Sequence, residues 1–599
     1  MKEQIRQRLA ALRSLMSREK MAAFIFPSTD AHNSEYVADH WKIREWISGF
    51  DGSAGTVVVT MNEAALWTDS RYFLAAEKQL EGTGIVLMRL KMPGTPTIAE
   101  WLGRVLADSE SKEVGLDGWV NSAAEVDALT QELRKQGGLT LRVNLDPMRT
   151  LWIDRPPIPQ NPVEVQPIEL AGETAASKLA RVREALRAQH CDGMLMSALD
   201  DIAWTLNLRG TDVHCNPVFV AYLVVEPERT TLFVQPEKLT DEVRDYLTTQ
   251  GVAVRDYSDV ADYLRHDYFA YNILMDENET NSYLMACMKD NRAQVVRRPS
   301  PVPQMKAVKN EAEIDGFRRA MTRDGVAMVK FLKWLRPAVE AGDVTEMTVA
   351  DKLLALRREQ PLFRDISFDT IAGYAAHGAI VHYEATPQTD VALKPCGFVL
   401  IDSGAQYQDG TTDITRTVAL GPVTEEEKRV YTLVLKGHIQ LELAKFPENV
   451  SGTQLDALAR EAMWREGMNY LHGTGHGVGS YLNVHEGPHQ IRMEYKPAPL
   501  RAGMTVTDEP GIYLAGRFGV RIENTLLICP YLETEFGRFL QMESLTLCPI
   551  DTVPIARELL TDEEIAWLND YHQLVYDRLS PLLNADEQAW LREATQPLA

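Results

Sequence analysis

The chain has 599 residues, too many for a single hydrophobic core, so about two to four domains are expected. Its 45% hydrophobic and 25% charged residues are typical of a soluble globular protein. The 62 Lys and Arg against 85 Asp and Glu leave a net charge of −23, which argues against nucleic acid or an anionic membrane as a main partner.

Cysteine usage and hydropathy both indicate a cytoplasmic protein. The six cysteines lie far apart and form no CxxC pair, which favours free thiols in a reducing compartment. The N-terminal residues show no apolar signal-peptide core, and the longest apolar run, 218–225, is too short to span a bilayer. We therefore expect a soluble protein of the cytoplasm without a membrane partner.

The N-terminal half of the chain contains a diverged repeat. Residues 1–20 predict an amphipathic helix, and residues 21–60 then predict an apolar strand, a helix with aromatic residues, a glycine turn and a second strand. Residues 191–225 repeat this order about 170 positions later. Two α/β domains of one kind are therefore predicted, at 1–156 and 163–303.

Proline-rich stretches mark the predicted borders. Residues 155–162 (RPPIPQNP) predict a stiff linker between the two α/β domains, and a second break is expected near 299–303 (PSPVP). Residues 311–599 then form a predicted α+β domain, with a helical C-terminal extension from about residue 550.

Three helices are predicted within this last domain, besides those of the extension. The first runs from 311 to about 335, and the second begins at a capping box at Thr424 and runs to about 446. The third covers 454–466, with Gly467 at its C-terminal cap.

Four carboxylates and one histidine in the third domain occur in contexts typical of buried metal ligands. Asp402 ends an apolar strand at 397–402. The Asp-Gly dipeptide at 409–410 predicts a hairpin that would bring Asp413, on the strand at 412–420, close to Asp402.

The other three candidate ligands lie farther along the chain. His476 stands among four glycines in residues 473–479, where backbone can approach whatever the imidazole touches. Glu509 precedes a Pro-Gly turn. Alternation along the strand predicted at 519–529 places three polar side chains on one face: Arg521, Glu523 and Thr525.

The charge of these residues predicts a pair of cations. Four converging carboxylates would repel one another strongly unless positive charge balanced them, and two divalent ions would do so. A hard set of oxygen ligands with one imidazole suits Mn²⁺. Two metals about 3.5–4 Å apart activate a bridging water and polarise a carbonyl, which is the chemistry of a hydrolase.

Other catalytic motifs are absent or accidental. Residues 485–489 satisfy the HExxH pattern of helical zinc sites, but Gly487 and Pro488 make a helix there very unfavourable. The run 473–479 fits neither GxGxxG nor a P-loop, and no GxSxG surrounds Ser53 or Ser403.

These motifs resemble the "pita-bread" metallopeptidases, which include methionine aminopeptidase, prolidase, creatinase and aminopeptidase P. His382 (GAIVHYEATP), His472 and His485 (NVHEGP) match the proline-specific branch. The segments DAHNSEYVADH, SGFDGSAGT, WTDSRYF, ALDDIAWTLNLRGTDV and NPVFV extend the likeness to the long, three-domain, cytosolic type of Xaa-Pro aminopeptidase, over nearly the whole chain.

The resemblance implies a dinuclear centre and a role for each ligand. Asp402 would bind one metal, and Asp413 and Glu523 would bridge both. His476 and Glu509 would complete the second metal's ligands, and Glu509 would also be the general base. The expected cofactors are two divalent ions per subunit, Mn²⁺ first, with Zn²⁺ or Co²⁺ as alternatives.

Seven residues are implied to bind or orient the substrate: Arg71, His382, His472, His476, His485, Tyr513 and Arg521. His485 and His382 would stabilise the oxyanion, and His472 would line the proline-side pocket unless it is a plain core histidine. Arg521 and Tyr513 would orient the first metal ligand, although Arg521 could also be a simple cross-strand ion pair.

The implied activity is removal of any N-terminal residue that precedes a proline. The alternatives are a prolidase restricted to Xaa-Pro dipeptides, a metal-free creatinase-like enzyme and a non-catalytic scaffold of the same fold. The expected partners are peptides with a penultimate proline and a second copy of the chain in a homodimer. His377 stands where the family has a non-histidine residue, and could either alter substrate access or lie on the surface.

Overall fold

The structure, a computed structural model, describes residues 2–598 and separates into two compact units. The first comprises the chain up to Gln166 with Glu173–Val302, and the second comprises Pro167–Gly172 and the chain from Pro303 onward. The limits predicted for three separate domains stay predictions. Among residues 2–598, no helix is both long and apolar enough to cross a membrane.

The first unit contains two six-stranded mixed sheets with one and the same pairing pattern. Across each sheet, one parallel pairing is followed by two antiparallel and two parallel ones. The strands of the first sheet are, in order, Val86–Arg89, Ala64–Thr68, Thr56–Thr60, Ala23–Phe26, Glu113–Gly115 and Thr140–Arg142. Those of the second are Val252–Arg255, Thr230–Val234, Ala221–Val225, Gly193–Met196, Asn272–Met275 and Gln294–Arg297. The predicted duplication is confirmed.

Helices accompany both sheets in the same sequence order. The N-terminal helix Lys2–Arg18 buries the predicted apolar stripe of Ile5, Leu9, Leu12 and Met16. The other α-helices of this unit are Ile43–Ser48, Phe73–Leu80, Ile98–Val105, Ala123–Lys135, Met148–Leu151, Ala175–Ala188, Leu199–Leu206, Asp241–Thr249, Val260–Asp262 and Ser282–Cys287. A short strand pair, Glu164–Val165 with Leu208–Arg209, completes this unit.

The second unit is built on long helices and small sheets. Its α-helices are Ile168–Ala171, Glu311–Ala341, Glu346–Arg358, Glu425–Glu442, Gly452–Trp464, Asp562–Leu579 and Ala585–Ala594, and Val302–Ala307 leads into it. Two like α/β sheets followed by an α+β unit with a helical C-terminal end confirm the predicted fold class.

The first long helix continues beyond its predicted end near residue 335. It runs to Ala341 because Leu335 and Val339 extend its buried stripe, and Gly342 then ends it with a φ of 98°. The second helix is shorter than predicted and stops at Glu442, since Lys445–Pro447 pairs as a strand with Gly537–Ser544. The third begins and ends two residues earlier than expected.

Within the described residues, the strands of the second unit form five sheets. These are Phe363–Ile366, Ala405–Tyr407 and Gly410–Thr411; Ile371–Tyr374, Phe398–Ser403 and Ile414–Ala419; Lys445–Pro447, Gly537–Ser544, Asn524–Thr534 and Thr505–Asp508; Gly475–Gly477 with Glu486–Ile491; and Gly511–Leu514 with Phe518–Arg521. The single strand predicted at 519–529 is wrong. It is divided at 522–523, where the backbone N–H of Glu523 donates to Thr415 instead.

One hydrophobic cluster packs helices against the strand Phe518–Arg521. Val430 and Val434, on the helix Glu425–Glu442, pack with Val520 and Ile522, which flank the divided strand. The helix Asp562–Leu579 adds Val575 to the same buried cluster. The segment that carries Glu523 is therefore held between two helices distant in sequence.

Candidate metal centre

Asp402 and Asp413 lie beside one antiparallel strand pair. Strand Phe398–Ser403 pairs with Ile414–Ala419, with Asp402 directly opposite Thr415. Asp413 immediately precedes the second strand, and both aspartates are buried.

The hairpin between these strands differs in detail from the prediction. A smaller hairpin, Ala405–Tyr407 with Gly410–Thr411, is inserted between the two longer strands. Its tip is 408–409 rather than 409–410, because the glycine already belongs to the returning strand and packs against the long helix.

His476 lies on the short strand Gly475–Gly477, whose backbone comes very close to the strand that ends before Glu509. A Cβ atom on Gly475 would overlap the carbonyl oxygen of Thr507. Glycine is required there for steric reasons. The close approach brings His476 Nε2 to 3.5 Å from Glu509 Oε1.

Hydrogen bonding fixes the tautomer of His476. Its Nδ1–H donates to the carbonyl oxygen of Gly477 at 2.8 Å. Nε2 is then the ring nitrogen that faces Asp413, whose Oδ2 lies 3.4 Å away, and it can present a lone pair once it is deprotonated. This is the usual arrangement of a metal-binding imidazole, with one ring nitrogen held by the backbone and the other presented to the ion.

Two buried carboxylates each have one oxygen engaged and one without a partner. Asp402 Oδ2 accepts from Arg521 Nε at 3.1 Å and Nη2 at 2.6 Å, and Glu523 Oε2 accepts from Thr415 Oγ1 at 2.7 Å. Asp402 Oδ1 and Glu523 Oε1 are buried without a hydrogen-bond partner among residues 2–598. Leaving such oxygens unsatisfied is costly unless a cation binds them.

The donor atoms converge closely enough to share a cation. Ligand atoms of Asp413, His476 and Glu523 all lie within 4.8 Å of one another. Since Glu523 also has a buried oxygen without a hydrogen-bond partner among residues 2–598, the residues present fit divalent metal ions.

Burial and the neighbouring charges together raise the pKa values of three of these residues. Burial, reinforced by Asp413, raises the pKa of Glu509 to about 7 despite the opposing effect of His476. Burial alone would lower the pKa of His476, but Asp413 and Glu509 raise it to about 9. Burial and the neighbouring carboxylates likewise raise the pKa of Glu523.

Metal binding should therefore release protons. At pH 7 the metal-free His476 is protonated, and Nε2 must lose that proton before it can bind an ion. We expect the apparent metal affinity to rise by about tenfold per pH unit for each proton released, from pH 6 up to about 9. Calorimetric titration in buffers of different ionisation enthalpy would measure the release; an affinity that does not change over this pH range would contradict the expectation.

Arg521 connects Asp402 to two aromatic residues. Its Nη1 donates to the hydroxyl oxygen of Tyr513 at 2.8 Å. That hydroxyl lies 2.8 Å from His472 Nε2, and His472 Nδ1 is 2.7 Å from the carbonyl oxygen of Gly473. The carbonyl oxygen of Gly473 can only accept, so Nδ1 of His472 carries the proton and donates to it. Nε2 of His472 then accepts from the Tyr513 hydroxyl, whose oxygen accepts from Arg521. Both ring nitrogens of His472 are thus engaged.

The other predicted substrate residues occupy different places. The His485 ring lies edge-on to that of His476, with 4.4 Å between centroids. His382 follows Val381, whose carbonyl oxygen accepts from Arg521 Nη2 at 3.4 Å. Their substrate contacts stay predictions.

Arg71 belongs to the first unit. Its guanidinium forms a two-point ion pair with Asp69, at 2.8 and 2.9 Å. The implied contact of Arg71 with substrate also stays a prediction.

One buried group near His382 was missed by the sequence analysis. The carboxylate of Glu346 accepts from the Tyr374 N–H and from the Tyr383 hydroxyl, and lies 2.9 Å from His377 Nδ1. His377 is therefore held by a buried acid and stacks on Tyr383 rather than lying free on the surface. Glu346 gave no signal, because a glutamate in the first turn of a helix is ordinary.

The HExxH match is accidental, as predicted. Residues Glu486–Ile491 form a strand, not a helix. His489 Nε2 instead lies 2.7 Å from the carbonyl oxygen of Thr505, and burial lowers the pKa of His489 to about 4.

Comparison with known families divides the chain into four matched regions. Residues 315–530 match metallopeptidase family M24, and 538–598 match the C-terminal region of peptidase M24. Residues 8–145 and 154–313 match two models of the creatinase/prolidase N-terminal domain.

Several characterised or named proteins are similar over the full length. Xaa-Pro aminopeptidase 1 of Dictyostelium discoideum is 40% identical over 99% of this chain and 97% of its own length. Aminopeptidase P2 of Arabidopsis thaliana is 42% identical over 99% of this chain and 88% of its own. Among solved structures, X-prolyl aminopeptidase from Caenorhabditis elegans, described as a cytosolic enzyme with a di-nuclear active site, matches with a TM-score of 0.94 at 36% identity over 99% of both chains.

Proposed function

The chain belongs to metallopeptidase family M24, and from this premise we propose that it is a dinuclear Xaa-Pro aminopeptidase that removes an N-terminal residue preceding proline. The observation that carries the proposal is that ligand atoms of Asp413, His476 and Glu523 converge within 4.8 Å, while Glu523 and Asp402 each have a buried oxygen without a hydrogen-bond partner among residues 2–598. Full-length relatives named as Xaa-Pro aminopeptidases support the substrate class.

The five predicted ligands would hold two divalent cations. Asp402 would bind one, Asp413 and Glu523 would bridge both, and His476 and Glu509 would complete the second. When bound, the ions supply a hydroxide nucleophile near neutral pH and polarise the scissile carbonyl. We propose Mn²⁺ as the resident ion, because the donor set is mostly hard carboxylate oxygen, with Zn²⁺ or Co²⁺ as alternatives.

Glu509 would accept the proton of the attacking water. Its backbone N–H donates to Thr474 at 2.8 Å, which fixes the residue where the strand ends. Its pKa of about 7 in the metal-free protein lies near the operating pH, and a bound cation would favour the charged form that acts as a base. His485 and His382 would donate to the oxygen that becomes negative.

Proline specificity has a steric and hydrogen-bonding basis. An Xaa-Pro bond lacks the N–H that most peptidases bind, so a site of this class must recognise the ring and the free amino terminus instead. His472, held by Tyr513 and by the backbone, would form a rigid wall of the proline-side pocket. By analogy with the C. elegans enzyme, we also propose a cytoplasmic location; a homodimer remains part of the proposal.

Cleavage of matched peptides tests the proposal. The protein would be stripped with chelator, reloaded with Mn²⁺, Zn²⁺ or Co²⁺, and given an Xaa-Pro-Xaa tripeptide, its Xaa-Ala-Xaa counterpart and an Xaa-Pro dipeptide, with products identified by mass. We expect metal-restored release of the first residue from the proline tripeptide. An Asp413→Ala variant, purified identically, controls for contaminating peptidases.

The outcomes separate the alternatives. Preference for the dipeptide would make the protein a prolidase. Equal cleavage of the alanine peptide would contradict proline specificity. No cleavage by well-folded, metal-loaded protein would support a non-catalytic scaffold.

A further inference from the structure

A second buried polar group lies in the same unit, apart from the predicted ligands. His438 and Glu442 are one helical turn apart on the helix Glu425–Glu442, and Asp508 and Asn524 lie on two paired strands. All four side chains are buried. Neither the proposed reaction nor the sequence analysis assigns them a role.

Two of these four residues are adjacent in the chain to proposed ligands. Asp508 and Asn524 are direct cross-strand partners. Asp508 immediately precedes Glu509, and Asn524 immediately follows Glu523. Asp508 ends one strand and Asn524 begins the other, so each glutamate lies one residue beyond the paired strands, where its side chain can face away from that of its neighbour.

The contacts agree with this two-faced arrangement. Glu509 and Glu523 contact His476 and Thr415, respectively, on the ligand side. On the helix side, Asp508 Oδ2 lies 3.1 Å from His438 Nδ1. Asn524 Nδ2 donates to Glu442 Oε1 at 2.8 Å, on the same helix as His438.

His438 lies between Asp508 and Glu442 on the helix side. Its Nε2 lies 3.2 Å from Glu442 Oε1, so the imidazole stands between two carboxylates, one at each ring nitrogen. Ligand atoms of His438, Glu442 and Asp508 lie within 4.8 Å of one another, but each ring nitrogen faces a different carboxylate at 3.1–3.2 Å, which suits a doubly protonated ring. Although burial alone would lower the pKa of His438, Asp508 and Glu442 raise it to about 9.

We propose that His438 is a positioning residue for the metal centre, which fixes Glu509 and Glu523 by holding Asp508 directly and Asn524 through Glu442. A protonated His438 on the helix side also offsets the negative charge of Asp508 and Glu442, close to the carboxylates of the ligand side. The inference rests on the proposed dinuclear function. Outer contacts of this kind alter metal affinity by about 10–100-fold when they are removed.

Cobalt binding tests the role without measuring activity. Wild type, His438→Leu and His438→Gln would be stripped of metal and titrated with Co²⁺, with affinity and stoichiometry from calorimetry and ligand geometry from the visible absorption bands. His572→Gln is the matched control, since His572 is also a buried helical histidine, but its Nε2 accepts from the Ile550 N–H rather than facing a carboxylate. Thermal unfolding of the metal-free proteins measures any structural loss separately.

We expect wild type to bind two Co²⁺ and His438→Leu to bind them about 10–100-fold more weakly, with shifted absorption bands. His438→Gln, which keeps one donor and is the variant more certain to fold, should fall in between. His572→Gln should lower the unfolding temperature but keep the wild-type affinity and spectrum.

Unchanged cobalt affinity and spectrum in both His438 variants would overturn the inference while leaving the proposed function intact. A third Co²⁺ in wild type that His438→Leu loses would overturn it too, by making the group a metal site. A wild-type protein that fails to bind two Co²⁺ would contradict the proposed function and the positioning role together.

Discussion

Replacement of Glu509 with glutamine is expected to lower kcat for an Xaa-Pro-Xaa peptide by about 10²- to 10⁴-fold. Glutamine keeps the size of the side chain and one oxygen, but it cannot take a proton from the attacking water. The variant also loses one negative charge among the carboxylates, so it should need a higher metal concentration for full occupancy. Steady-state kinetics at saturating metal, with metal content determined by elemental analysis, would separate the two effects.

Glu564→Gln provides the matched control. Glu564 is a buried glutamate of the same unit, but it pairs with Lys436 and Gln440 on a neighbouring helix. Its replacement should lower stability and leave kcat near the wild-type value. Near-normal kcat in a fully loaded Glu509→Gln protein would assign the general base to another group.

Replacement of Arg521 with methionine should weaken both metal binding and the fold. Arg521 is buried and forms a two-donor contact with Asp402 Oδ2, so its loss leaves a buried carboxylate without its cation. Breaking a buried ion pair from one side costs about 3–5 kcal/mol in the free energy of unfolding. Metal affinity should fall by about 10–100-fold, because Asp402 is no longer oriented.

Arg357→Met separates these two losses. Arg357 is equally buried and contacts Asp324 through two nitrogens, at 2.9 and 3.0 Å, away from the proposed ligands. Denaturant unfolding should show a comparable loss of stability in both variants, whereas calorimetry should show weakened metal binding only in Arg521→Met. Arg521→Lys should remain impaired, because lysine lacks the planar fork. If Arg521→Met bound metal as tightly as wild type, Arg521 would be the plain cross-strand ion pair considered above.

Much of the candidate site could be predicted because each ligand has a distinctive local context. Asp402 ends an apolar strand. His476 is surrounded by glycines, which are typical of places where two backbone segments come very close together. The N-terminal helix and the duplicated sheets were likewise predictable, since apolar periodicity is a local property of the chain.

The errors occurred where one segment's structure depends on another. The break at 522–523 could not be predicted, because the N–H of Glu523 bonds to Thr415 on a strand far away in sequence. The helix that stops at Glu442 gives way to a strand only because Gly537–Ser544 is available to pair with it. Tertiary pairing decided these boundaries over local propensity.

The sequence by itself determined the fold class and singled out the candidate metal ligands. Only the tertiary structure revealed two further buried polar contacts in the same unit: Glu346 with His377, and His438 with Asp508 next to Glu509. Each of these contacts joins residues from different elements, and strand register and helix packing set its geometry. A hydrophobic pattern specifies which face of an element is buried, but not which polar groups meet there.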